Sequence, residues 1–246
     1  IKNNLPGAAL PILDKAYAIN ASDFRLLYDY TGTMMNVPTD TVRELLRTLH
    51  NASIENPVRL AGIGQLFLGV DSLDRAESYF NDALKLDKLN ALAALGISAV
   101  YKKRNQLENA RNFLNNLDEN LLRDPQVVRA RIALSEDMGD GASAVRLAID
   151  NIKPAPGDIS RYQSALRLAQ KAGDKTKAEE ICRLCLETNS AAPESYMLYA
   201  DFYKWSNNKS LYDEYVTKAL DKDPRFVPGL LARAANEFLK GDLNSA

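Results

Sequence analysis

The residue types of this chain return every 34 positions, and a period of that length restricts the fold to a stack of similar small units. From a frame at Pro57 the steps fall on Ala91, Pro125, Ile159, Pro193 and Val227. At the twentieth place stand Ala76, Ala110, Ala144, Ala178, Tyr212 and Ala246. With alanine at roughly one residue in eight, five alanines in six places arise by chance about once in ten thousand trials. The fourth place carries Leu60, Ala94, Val128, Tyr162, Tyr196 and Leu230, and the seventeenth holds Leu73, Leu107 and Leu243.

Turn chemistry keeps the same step. Gly139-Asp140, Gly173-Asp174 and Gly241-Asp242 fall where a first helix must stop, and Asp71-Ser72 and Asn207-Asn208 put other turn formers at that place. Pro156 and Pro224 close the second helix, because proline has no amide hydrogen to donate and restricts the residue before it. Places 4, 7, 8 and 11 then lie on one face of the first helix, and places 20, 24 and 27 on one face of the second. Small residues at places 8 and 20, such as Gly64 with Ala76 or Ser98 with Ala110, let the paired helices approach closely.

These residues resemble the tetratricopeptide repeat (TPR) family, whose 34-residue unit is two antiparallel helices. In Pro57 to Asn90, residues Leu60, Ile63, Gly64, Phe67, Ala76, Phe80 and Ala83 stand at the family's signature places, and Lys88 departs from the usual proline. Upstream, Ala9, Leu13 and Ala16 match a second helix, and Leu27, Tyr30, Thr31 and Met34 the next first helix, in a repeat one residue short. The resemblance implies an all-α fold, a right-handed superhelical solenoid of antiparallel helix pairs, each touching only its neighbours. We read residues 1–246 as one solenoid with repeats at about 24–56, 57–90, 91–124, 125–158, 159–192 and 193–226, flanked by partial repeats 1–23 and 227–246. A frame that stops at the twentieth place, with no polar capping helix, suggests a piece of a longer array. Arg131 and Arg233 fall at the apolar seventh place, and a one-residue slide replaces them with Ile132 and Ala234 at less cost than burying a guanidinium.

Composition limits the chemistry. Lys+Arg 31 against Asp+Glu 32 leaves a formal charge of -1, so no global field draws in nucleic acid or anionic lipid. The apolar stretch from Leu60 to Val70 is too short to span a bilayer and is broken by Gly62, Gln65 and Gly69, so no membrane insertion is expected. One histidine, His50, near the end of a second helix, leaves no two-histidine metal site and a single imidazole base. Cys182 and Cys185 sit at core places 24 and 27, where helical spacing holds them beyond usual disulfide reach, so they read as reduced, packed thiols that fit either a cytoplasmic or a periplasmic setting. Gly62, Gly64 and Gly69 follow no strand and do not form a nucleotide loop. No catalytic residues, metal or cofactor are expected.

What remains is the inner face of the first helices, which by family resemblance holds a segment of another protein. Places 2, 5, 9, 12 and 13 line it. Towards the N-terminus these are Val58, Ala61, Gln65, Leu68, Leu92, Leu95 and Ala99; farther along they become Arg129, Gln163, Arg167, Lys171, Lys204 and Trp205. The expected groove therefore has an apolar part and a cationic part, with Trp205 as its aromatic anchor. The family's two-carboxylate clamp needs lysine and asparagine at places 5 and 9, which here hold Ala61 and Gln65, Leu95 and Ala99, and Arg129 and Ala133. The expected function is a non-enzymatic scaffold for a protein or peptide partner. The alternative is an architectural or regulatory array inside a larger envelope, secretion or assembly protein, with self-association through incomplete array ends.

Overall fold

The computed structural model describes residues 15–16, 19–20, 23–34 and 40–240. Their regular elements are fourteen helices and no strands. Ala9, Leu13, Leu243, Ala246 and the Gly241-Asp242 turn lie outside the described residues. The chain packs as two compact halves, residues 1–130 and 131–246. The N-terminal half holds α1 (Phe24–Met34), α2 (Asp40–Asn51), α3 (Pro57–Gly69), α4 (Leu73–Leu86), α5 (Ala91–Lys103), α6 (Leu107–Asn115) and the short α7 (Glu119–Leu122). Helix α8 (Pro125–Asp137) passes from one half to the other, and the C-terminal half continues with α9 (Gly141–Asp150), α10 (Ile159–Ala172), α11 (Lys175–Thr188), α12 (Pro193–Trp205), α13 (Lys209–Lys222) and α14 (Val227–Lys240).

Within each half the packing is that of stacked helix pairs. Helix α3 packs on α4, α4 on α5, and α3 directly on α5; likewise α10 packs on α11, α11 on α12, and α10 directly on α12. The turns inside the pairs repeat atom for atom. Asp71, Asn105, Gly139, Gly173 and Asn207, spaced 34 residues apart, all have left-handed backbone, with φ between 58° and 72°. Behind each, the next amide donates to the carbonyl five residues back: Ser72 to Phe67, Gln106 to Tyr101, Asp140 to Ser135, Asp174 to Ala169 and Asn208 to Tyr203, at 2.8 to 2.9 Å. This 6→1 bond satisfies a carbonyl that the helix end would otherwise leave open. Glycine adopts the conformation at no steric cost, and Asn and Asp tolerate it best among the others.

The first helices start with equal regularity. Asn56 and Asn90 accept from Arg59 and Ala93 amides, Asp124 from Gln126 and Val127, and Asp158 from Ser160. Side-chain oxygens there satisfy amides that have no partner inside the helix. Pro57, Pro125 and Pro193 occupy the first helical position, where a missing amide hydrogen costs nothing.

The alanine row is the seam of the array. Ala76, Ala110, Ala144 and Ala178 are all buried. In the N-terminal half Ala76 joins a core of Leu27, Leu49, Ile63, Phe67, Phe80 and Ile97, and in the C-terminal half Ala144 and Ala178 join one of Tyr162, Leu166, Ile181, Cys182, Cys185 and Leu198. Two second helices depart from the expected pattern: α9 ends at Asp150, six residues before Pro156, so that proline does not close it, and α6 is broken in two. Helix α6 stops at Asn115, the Asn116 side chain donates back to the Asn112 carbonyl at 2.9 Å, and Asp118 restarts the chain as α7, whose Leu121 is buried. Asparagine competes for backbone hydrogen bonds in this way, and it breaks helix interiors.

Candidate functional site

The first-helix faces hold the expected binding residues, and burial divides them. On α3 and α5, which touch directly, Val58 and Leu92 are exposed at 65% and 42%, while Gln65, Leu68, Leu95 and Ala99 are half-buried. Ala61 is fully buried and belongs to the core of this half, not to a surface. Arg129, on the part of α8 in the N-terminal half, is exposed.

In the C-terminal half Gln163, Arg167 and Lys171 are exposed at steps of four along α10, and so form one stripe. Arg167 makes no hydrogen bond or ion pair among the described residues. Lys171 is not free: its ammonium donates to Glu136 Oε1 at 2.7 Å, beside a pocket of about 380 Å³ floored by Gly139, Gly141, Ala144 and Leu168. Lys204, on α12, is exposed beside Asp201, whose carboxyl is pushed up by burial and drawn back down by that lysine. Trp205 is half-buried, its ring 6.2 Å from that of Phe202 at the edge of the core. It packs against the core at the end of α12, just before the turn, and keeps part of its indole exposed.

The slide expected for Arg131 is seen only in part. Ile132 packs against the C-terminal core, but Arg131 also lies on the inner stripe between Val128 and Ser135 and is half-buried. Burial and neighbouring Arg146 push its guanidinium below its ordinary range, and Asp150 offsets them. Half-burial keeps the charge near water, which is how a long side chain can occupy an apolar place. In α14 Ala234 is half-buried and Arg233 exposed.

The groups with chemical potential elsewhere are occupied. Cys182 and Cys185 are buried free thiols; Cys182 Sγ lies 3.4 Å from the Leu198 carbonyl and Cys185 Sγ 3.6 Å from Ser195 Oγ. Desolvation pushes both thiols up, which disfavours the thiolate that nucleophilic or metal chemistry needs. His50 is half-buried, with Nδ1 3.2 Å from the Tyr79 hydroxyl. No three His, Cys, Asp or Glu side chains among the described residues converge as a metal site, and no described helix is long and apolar enough to cross a membrane. Sequence reasoning passed over the partners of Lys171 and Trp205, and nothing local to either residue signals them. The Asn and Asp helix starts at 56, 90, 124 and 158 were readable, because they too recur every 34 residues.

No family model matches the sequence, and no curated protein matches it. Solved structures do. The C-terminal part of a TPR repeat-containing protein from Cytophaga hutchinsonii is 13% identical, with 94% of this chain and 95% of that one covered at a TM-score of 0.54. PilF of Pseudomonas aeruginosa is 15% identical over 86% of this chain and 97% of that one, at 0.47. A tetratricopeptide repeat protein from Parabacteroides merdae is 14% identical over 92% and 90%, at 0.45. The repeated left-handed turns, the buried alanine row and the likeness to the Cytophaga structure agree: this chain has the tetratricopeptide-repeat fold.

Proposed function

We propose that the chain is a non-enzymatic protein-interaction scaffold that holds a segment of a partner protein against the exposed faces of its first helices. The observation that carries this reading is the stripe on α10, where Gln163 and Arg167 present polar and cationic groups to solvent, with Arg167 free of an internal partner. The planar fork of a guanidinium is pre-organised for a carboxylate, so it loses less entropy per hydrogen bond formed than an ammonium does. Exposed Val58 and Leu92 on the first helices of the N-terminal half supply apolar contacts of the kind an extended or helical segment uses. The buried thiols and the engaged His50 support the absence of catalysis, and the net charge of -1 supports a protein rather than a nucleic acid as partner. Self-association would use Val227, Leu231 and Phe238, exposed along α14.

The test is a crosslinking capture with the intact chain beside Arg129→Glu and Arg167→Glu variants, read by mass spectrometry. A partner crosslinked to first-helix residues and lost from a charge-reversed variant of unchanged helicity is the expected result. Partners retained equally by all three proteins sink the first-helix site and leave the architectural reading. Crosslinks between two copies through α14 identify the self-associating form.

A further inference from the structure

On the second-helix side of the N-terminal half, a hollow of about 440 Å³ opens between α2 and α4. Leu46, Arg47 and His50 line it from α2, and Arg75, Ser78, Tyr79 and Asp82 from α4, with Phe67 of α3 at its base. Its aromatic wall is ordered. The Tyr79 ring stacks on Phe67 with centroids 5.5 Å apart at 12°, and His50 meets Tyr79 edge-on at 5.7 Å while its Nδ1 lies 3.2 Å from the hydroxyl. The Arg75 guanidinium lies over the Phe67 ring, 5.5 Å from its centroid.

The two arginines in this hollow have no carboxylate partner among the described residues, unlike several others of the same half. In the same half Arg25 pairs with Asp29, Arg104 with Asp74 and Glu77, Arg111 with Glu108, and Arg123 with Glu119. Arg47 and Arg75 have no hydrogen bond or ion pair among the described residues, and the hollow's one carboxylate, Asp82, is taken by Lys85 at 2.7 Å. The corresponding hollow between α9 and α11 makes the contrast. Its lining includes Arg146 and Lys177 against Asp150 and Asp174, and Lys177 is held by Glu180.

From this we infer a second binding site, on the second-helix side of the N-terminal half, that takes an oxyanion carried on an aromatic ring, a phosphate or a carboxylate. The two guanidiniums, on opposite walls, grip the anion in charge-assisted hydrogen bonds, with the Tyr79 hydroxyl and His50 beside them. The ring packs on the edge of the Tyr79 and Phe67 stack. A hollow of this volume is in the range that holds a small aromatic ligand. Phosphate and carboxylate share the recognition, so the probes must separate them.

The single histidine gives an unambiguous reporter. The His50 ring signals of the intact chain are followed by NMR at fixed pH and ionic strength during titration with phenyl phosphate, benzoate, inorganic phosphate or acetate. The site is upheld by a saturable shift with phenyl phosphate or benzoate, tighter than with inorganic phosphate or acetate, and the stronger of the two aryl probes identifies the anion. The Kd should weaken at least about tenfold in Arg47→Gln and in Arg75→Gln, the loss of one charge-assisted contact in each. Arg47 is exposed, so its variant keeps the fold even if Arg75→Gln disturbs Phe67. Absence of a saturable shift with both aryl probes overturns the site, as does equal binding of the ring-free anions or an Arg47→Gln protein that binds as tightly as the parent.

Discussion

The two halves fill the same three places of the repeat in opposite ways. In the N-terminal half the large residue is on the second helix: Phe80, fully buried, rests on Gly64 of α3 and Gly96 of α5. A Cβ on Gly64 would come 2.6 Å from the Phe80 ring, and one on Gly96 would overlap it outright. The same places 102 residues later hold Cys182, Leu166 and Leu198, so the small residue is now on the second helix and the large ones face it. The bulk moves from the second helix to the two first helices, and because protein interiors are close-packed the residues around these places must differ between the halves to match. The same helix pair is thus sensitive to added bulk at one end of the chain and to ionisation at the other.

The largest expected effect breaks the comparison sterically. Gly96→Ala should destabilise the protein by about 1–3 kcal/mol, since Phe80 is enclosed and its ring cannot move aside. In a Phe80→Leu background the same substitution should cost clearly less, a coupling measured by a double-mutant cycle in urea denaturation. Equal costs in both backgrounds would show that the ring is not what the glycine accommodates.

The next effect is electrostatic and belongs to the C-terminal half. Both thiols are pushed up on folding, so their contribution is complete below the unfolded thiol value, near 8.5, and is lost as pH rises from there towards the folded values. At pH 9.5 this amounts to about 1 kcal/mol for Cys182, and Cys185 adds to it in the same direction. The phenols of Tyr199, Tyr203 and Tyr212, also raised chiefly by burial, extend the loss at higher pH. Trp205, the single tryptophan, reports on this half. Its denaturation midpoint should fall between pH 7.5 and 9.5, and fall less in the Cys182→Ala, Cys185→Ala double variant. An identical fall in both proteins would remove the thiols as the cause.

The smallest effect sharpens the comparison at the surface. Lys171→Gln breaks the pair with Glu136 and should cost between 0 and about 1 kcal/mol, decreasing with added salt, because the lysine is largely exposed. A cost above about 2 kcal/mol in thermal denaturation would mean that the pair organises the α8–α10 contact rather than decorating it.

Much of this fold is legible in the chain. Alanine at the twentieth place, Gly, Asn or Asp at the fifteenth and proline at the first each answer a local demand: close approach of two helices, a left-handed turn, and a helix start without a free amide hydrogen. The candidate surface was legible only as a set of positions. Lys171 reads as a free cation until Glu136, 35 residues away, is brought beside it, and Trp205 reads as a fully exposed indole until Phe202 and the core half-bury its ring. Ala61 reads as a groove residue until the packed core buries it.

The sequence by itself determined the period, the helix pairs and their turns, because each rests on residues within one repeat. Only the tertiary structure decided which exposed positions remain free and that Arg47, His50, Arg75 and Tyr79 from different repeats share one hollow. It also showed that Phe80 is balanced against two glycines. Those outcomes depend on side chains that meet across repeats, and a period records what recurs along the chain rather than which unlike residues it brings into contact.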